Sequence, residues 1–78
     1  MADWKPDQVL DTRGLSCPMP ILKTKKRMKD MQLGQILEIQ STDPGTANDL
    51  PSFLGRSGDE LLGQEAGQGY ISYFVKKA

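Results

Sequence analysis

Arg13-Gly14-Leu15-Ser16-Cys17-Pro18-Met19-Pro20 holds the only cysteine of a 78-residue chain that has no histidine. Two prolines bracket the residue after Met19's neighbour Pro18, and a long run with helical character follows. Proline is tolerated in the first turn of a helix, where N–H groups have no intrahelical partner and its fixed φ suits the helix. The stretch therefore predicts Pro18 as the first helical residue and Cys17 as the N-cap. Unpaired backbone N–H groups and the positive end of the helix macrodipole favour negative charge there. The thiolate is the nucleophilic form of cysteine, and this location lowers a thiol's pKa. Arg13 would add a cation if the loop curls back. Most free cysteines are buried and inert. Gly14 before Cys17 and Pro18 and Pro20 after it mark a loop-to-helix junction instead, which favours a reactive thiol.

Outward from this junction, Gln8 to Thr12 is a short strand through Val9 and Leu10. Downstream, Pro18 to about Met31 is the first helix. Ile21, Thr24, Met28 and Met31 recur at helical spacing as its core stripe, with Leu22 on the flank. Lys23, Lys26 and Arg27 cluster on the opposite face. They form either a solvated charged face or a docking patch for an acidic partner. Gly34 is expected as the C-cap.

Gln35 to Ser41 reads as a second strand, Leu37 and Ile39 alternating with Glu38 and Gln40. Thr42-Asp43-Pro44-Gly45 is a turn. Thr46 and Asp49 form a capping-box-like start to a second helix that ends near Arg56 to Gly58. Pro51 either kinks this helix or marks its first turn, with Asp49 as the N-cap. Asp59 to Glu65 is a third strand, Ala66 to Gly69 a hairpin turn, and Tyr70 to Lys76 a fourth strand. That last strand is apolar on both faces, which predicts either a central strand or an exposed contact face. The order β-α-β-α-β-β predicts a two-layer α/β (α+β) sandwich, with two helices on one face of a four-stranded mixed sheet. Residues 1–7, including Trp4, are expected as a flexible tail and residues 8–78 as a single domain.

Composition narrows the function. A chain this short buries only about 60% of its unfolded surface. One cysteine excludes an internal disulfide, and without histidine no zinc site of the usual ligands is expected. An unpaired thiol fits a reducing compartment. Ten basic and ten acidic residues cancel, against the basic character of a nucleic-acid binder. No secretory signal or membrane-length apolar run is visible, so a cytoplasmic location is expected. Without a histidine base, paired carboxylates or a phosphate-cradling loop, independent catalysis is not expected.

Leu10-Asp11-Thr12-Arg13-Gly14-Leu15-Ser16-Cys17-Pro18-Met19-Pro20 resembles the Cys-Pro-x-Pro signature of the TusA/SirA-like family of small sulfur carriers. Ser41-Thr42-Asp43-Pro44-Gly45-Thr46 and Asp49-Leu50-Pro51-Ser52-Phe53 resemble its second conserved stretch, and Gly58 through Lys77 its closing hairpin. The resemblance implies a persulfide carrier whose Cys17 accepts sulfane sulfur and passes it on, with Pro18 and Pro20 shaping the helix start. Arg13 and Gly14 accompany that motif. Implied partners are a sulfur donor, either a cysteine desulfurase or a rhodanese-like protein, and an acceptor relay protein. No cofactor, membrane or direct nucleic-acid partner is expected, and the chain is expected to be a monomer. The relay served is dissimilatory sulfur metabolism or tRNA thiolation and cofactor synthesis. Met19 stands between the prolines, where members tied to tRNA thiolation often carry an acidic residue. A lone thiol suits a carrier, since a second cysteine would resolve the persulfide into a disulfide. The rival reading is a nucleic-acid-binding or regulatory module using Lys23, Lys26 and Arg27.

Overall fold

The computed structural model describes residues 5–16 and 18–78. Its elements run β1 (Gln8–Thr12), α1 (Met19–Lys29), β2 (Ile36–Ser41), α2 (Thr46–Ser57), β3 (Glu60–Ala66) and β4 (Ile71–Lys76). The strands form one sheet in the order β1-β2-β4-β3. β1 runs parallel to β2, and β4 is antiparallel to both of its neighbours. The expected β-α-β-α-β-β sandwich with a mixed sheet is the observed fold. The docking of Trp4 lies outside the described residues. Asp7 is already tied to β2: its N–H donates to the Ile36 carbonyl at 2.8 Å, and its carboxylate accepts from the Ile36 N–H at 2.8 Å.

β4 occupies a central position, which explains its apolar residues on both faces. Tyr73 and Val75 pair with Ile39 and Leu37 and point with them toward the helices. Leu10, Met28, Met31, Leu50 and Leu54 complete that core. Phe74 and Ser72 are buried on the other face, opposite Glu38 and Gln40. There the Glu38 carboxylate accepts from Ser72 Oγ at 3.2 Å and from Gln40 Nε2 at 2.8 Å. β3 carries an irregularity between Leu61 and Gly63, where one residue falls out of register with β4. Such a bulge bends a strand and keeps side chains beyond it on the correct face.

Several helix boundaries differ from the expectation. α1 begins at Met19, with Pro18 as its N-cap at φ −97° and ψ 14°. A turn closed by the Met19 N–H on the Ser16 carbonyl (2.9 Å) forms first, so Pro18 is only half in the helix. Pro20 joins the buried stripe with Thr24 and Met28, and Thr24 Oγ1 donates back to the Pro20 carbonyl at 2.8 Å. Leu22 is instead 52% exposed, since its position on the wheel points outward. The C-cap is Asp30, not Gly34. Short i→i−3 bonds from Asp30 to Arg27 and from Met31 to Met28 tighten the last turn and turn Met31 into the core. Gly34 adopts φ +87° in the following turn and donates to the Lys77 carbonyl at 2.7 Å.

α2 starts at Thr46 after a Gly45 N-cap with no side-chain cap bond. The capping box does not form, because the buried Thr46 hydroxyl pairs across the turn with Ser41 Oγ at 2.9 Å. Asp43 serves the turn instead, accepting from the Gly45 N–H at 3.1 Å. Pro51 is accommodated inside the helix rather than at its start, and Gly58 ends it in the left-handed conformation, φ +85°. No helix among the described residues is long and apolar enough to cross a membrane.

Candidate functional site

The parallel pairing of Thr12 with Ser41, and the antiparallel pairing of Ser41 with Ile71 and Ile71 with Ala66, put three connections at one end of the sheet. These are the loop from Arg13 to Pro18, the turn after β2 and the β3–β4 hairpin turn. Cys17 itself, with its expected role as N-cap, lies outside the described residues. The geometry on both sides of it is defined.

Before Cys17, Thr12 Oγ1 donates to the Gln40 carbonyl at 2.6 Å, which anchors the end of β1. Leu15 N–H then closes a turn on the Thr12 carbonyl at 3.1 Å. Gly14 sits in that turn at φ +83°, a conformation that side chains with a Cβ rarely adopt. Its N–H donates to Thr42 Oγ1 at 2.9 Å, tying the loop to the turn after β2. Arg13 folds back on Asp11 as a two-pronged pair, Nε to Oδ1 at 3.0 Å and Nη2 to Oδ2 at 3.1 Å. Its backbone N–H donates to the same carboxylate at 3.0 Å. The Arg13 side-chain hydrogen bonds, and next its backbone one, hold the Asp11 carboxyl below its ordinary value. The same side-chain bond raises the guanidinium's pKa.

The Arg13 guanidinium also lies over the Tyr70 ring, 5.2 Å from its centroid, within cation–π range. Gly67 backs this ring closely: a Cβ placed there would lie 2.7 Å from the ring carbon Cζ. The Gly67 N–H donates to the Tyr70 carbonyl at 2.8 Å. Thus the Tyr70 ring meets both Arg13 and Gly67 and joins the loop ahead of Cys17 to the hairpin turn. Sequence reasoning singled out Arg13 and Gly14 but missed Thr42, Gly67 and Tyr70. Their turns were marked in the sequence, but their contacts with the loop depend on distant partners that no local pattern shows.

After Cys17, Pro18 and Pro20 occupy positions where a missing N–H costs little. Leu22 N–H takes the Pro18 carbonyl at 3.0 Å. Met19, 41% exposed, and Leu22 present an apolar surface in this first turn. A shallow groove of about 300 Å³ starts at Pro18 and runs between the helices past Ile21, Phe53 and Arg56.

Lys23, Lys26 and Arg27 do come together, but along the flank of α1 that overhangs β1. With Leu10 and Asp30 they line a groove of about 340 Å³. Arg27 Nη1 donates to Gln8 Oε1 on β1 at 3.1 Å. This cluster is separate from the Arg13–Tyr70 stack.

Fold and site together define a small two-layer α/β domain with a Cys-Pro-x-Pro loop delivered between β1 and α1. The model of the family described as Sulfurtransferase TusA matches residues 8–77, and the chain belongs to that family. It is 41% identical to the sulfur carrier protein TusA of Allochromatium vinosum over 78 residues, covering all of both chains. It is 51% identical over 69 residues to YrkF of Bacillus subtilis, covering 88% of this chain but only 37% of that longer protein. In fold it is similar to the crystal structure of a SirA-like protein from Desulfitobacterium hafniense. There the TM-score is 0.72 at 21% identity, over 88% of this chain and 95% of that one.

Proposed function

We propose that the protein is a sulfur carrier that holds sulfane sulfur as a persulfide on Cys17. The full-length similarity to a sulfur carrier protein TusA carries this reading. The chemistry follows from a lone thiol. The Cys17 thiolate attacks the outer sulfur of a donor persulfide; the new S–S bond forms as the donor's S–S bond breaks, and the donor leaves as a thiolate. In the second step a partner's cysteine thiolate attacks the outer sulfur on Cys17, and the Cys17 thiolate leaves. Sulfur keeps its oxidation level throughout, so neither step needs an oxidant or a reductant. Both depend on thiolate fraction and access.

Donor and acceptor are proteins that present such sulfur: a cysteine desulfurase or rhodanese-like protein upstream, and a relay protein with its own cysteine downstream. Arg13 and Gly14 shape the loop ahead of Cys17. Pro18 and Pro20 let the helix begin directly behind it. The exposed Met19 and Leu22 give a partner apolar surface next to the sulfur's position in the chain. The nucleic-acid or regulatory reading of the basic cluster has no support among the relatives.

Intact mass after incubation with polysulfide tests the proposal. The reduced protein should gain one sulfur atom, lose it to a reductant, and gain none as Cys17→Ser. Loading of the serine variant, or none in the parent with its thiol free, would refute it.

A further inference from the structure

The sheet has two edges, and they are built differently. β3 forms one. It is broken by the irregularity between Leu61 and Gly63 and carries Glu60 and Glu65. Bulges and charges are devices by which proteins stop an edge from pairing with another chain. β1 forms the other edge and has neither bulge, lysine nor proline; its one charge, Asp11, is already paired by Arg13. β1 pairs with β2 in unbroken register from Gln8 to Thr12, and no other strand among the described residues lies on its far side. Val9, on the face away from the helices, is 50% exposed.

Of the strands, α1 packs most against this edge strand. Its overhanging flank places Lys23, Lys26 and Arg27 above a groove floored by Leu10, with Asp30 the one anion among the lining residues. Lys23 and Lys26 are exposed and have no ion pair among the described residues. In a chain whose charges cancel, this is a local positive excess beside an open strand edge.

We propose that the groove between α1 and the free edge of β1 receives an acidic, extended segment of a partner protein, which adds to the sheet beside β1. Strand addition takes its affinity from main-chain hydrogen bonds and its specificity from alternate side chains. Residues of the added strand that face the helices meet Lys23, Lys26 and Arg27 and should be acidic. Those facing the other way lie beside Val9 and the Arg13-paired Asp11, and the residue next to Val9 should be apolar. Five residues of β1 match a segment of about 17 Å. This deepens the carrier reading by naming its partner's chemistry, and it rests on that reading only for the partner's role.

The test titrates ¹⁵N-labelled full-length protein, reduced and unloaded, with the peptide Glu-Val-Glu-Val-Glu, blocked at both ends. Amide shifts should concentrate in Gln8–Thr12 and along Lys23 to Asp30, and should weaken as salt rises. Lys23→Glu with Lys26→Glu should weaken binding about tenfold or more. The spectrum itself reports that this variant is folded. A peptide with proline at its centre, lacking one main-chain donor, should bind less well than the parent peptide. Absence of shifts at millimolar peptide, shifts mapping elsewhere, or equal binding by the charge-reversed variant would overturn the proposal. So would binding of oligouridylate at the cluster without binding of the peptide. Sulfur loading is read by mass with no peptide present, so failure of the carrier reading and failure of this docking site are separate results.

Discussion

At the scale of single residues, one series of side-chain contacts ties the loop ahead of Cys17 to the hairpin turn, beside the Gly14 hydrogen bond to Thr42. Arg13 reaches Asp11 on one side and the Tyr70 ring on the other, and Gly67 leaves room for that ring. An exposed ion pair contributes little by itself, so the series depends on the ring being where it is. Gly67 has no need of its own for a positive φ; its role is space. Gly67→Ala should therefore displace the Tyr70 ring and cost about 1 kcal/mol, the lower end for overpacking because Tyr70 is only partly buried. Urea unfolding of Gly67→Ala, Tyr70→Ala and the double variant checks this. In the Tyr70→Ala background the glycine change should cost nothing, a coupling that only neighbours in contact show. Additive costs would mean that the Cβ meets something other than the ring.

Among the elements, strands and helices were legible where periodicity decides them. Leu37 and Ile39 alternate because one face of β2 is buried, and Thr24 and Met28 repeat because α1 rests on the sheet. Their ends were less legible, since tertiary partners compete for the capping groups. The Thr46 hydroxyl is taken by Ser41 from another element, so its sequence pattern with Asp49 misleads. The one trace of the β3 irregularity in the sequence is Gly63, an isolated glycine inside a strand pattern. In the site, Arg13 and Gly14 could be found beside the lone cysteine. Thr42, Gly67 and Tyr70 could not, because the sheet alone brings their loops to its one end. Pro51 shows how packing overrides propensity. It lies inside α2 and removes the donor that would bond the Ala47 carbonyl, yet Leu50 and Leu54 anchor the helix on the core. Pro51 is exposed, so Pro51→Ala should restore that bond without leaving a cavity. The gain in helix propensity, up to about 3 kcal/mol, is offset by about 1 kcal/mol from a freer unfolded chain. A net stabilisation of about 1–2 kcal/mol is expected in urea titrations followed by circular dichroism. A loss would show that the ring itself is packed in the fold.

For the molecule as a whole, the sandwich separates the work of staying folded from the work of the loop. The core lies between the helices and the inner sheet face, whereas the Cys17 loop, the turn after β2 and the hairpin turn lie at the sheet's end. A domain of this length has roughly 4–12 kcal/mol of stability in total. Leu50 is fully buried in its core. Leu50→Ala should cost about 3 kcal/mol, which for a chain of this size lowers Tm by about 12–24 °C. Differential scanning calorimetry reads that shift. Below the new transition the loop's hydrogen bonds to Thr42 and Asp11 do not involve Leu50, so polysulfide should still load Cys17 at the parent's rate. A variant that is folded by circular dichroism but loads slowly would couple the core to the loop. Packing around α2 would then help to set the reactivity of the thiol.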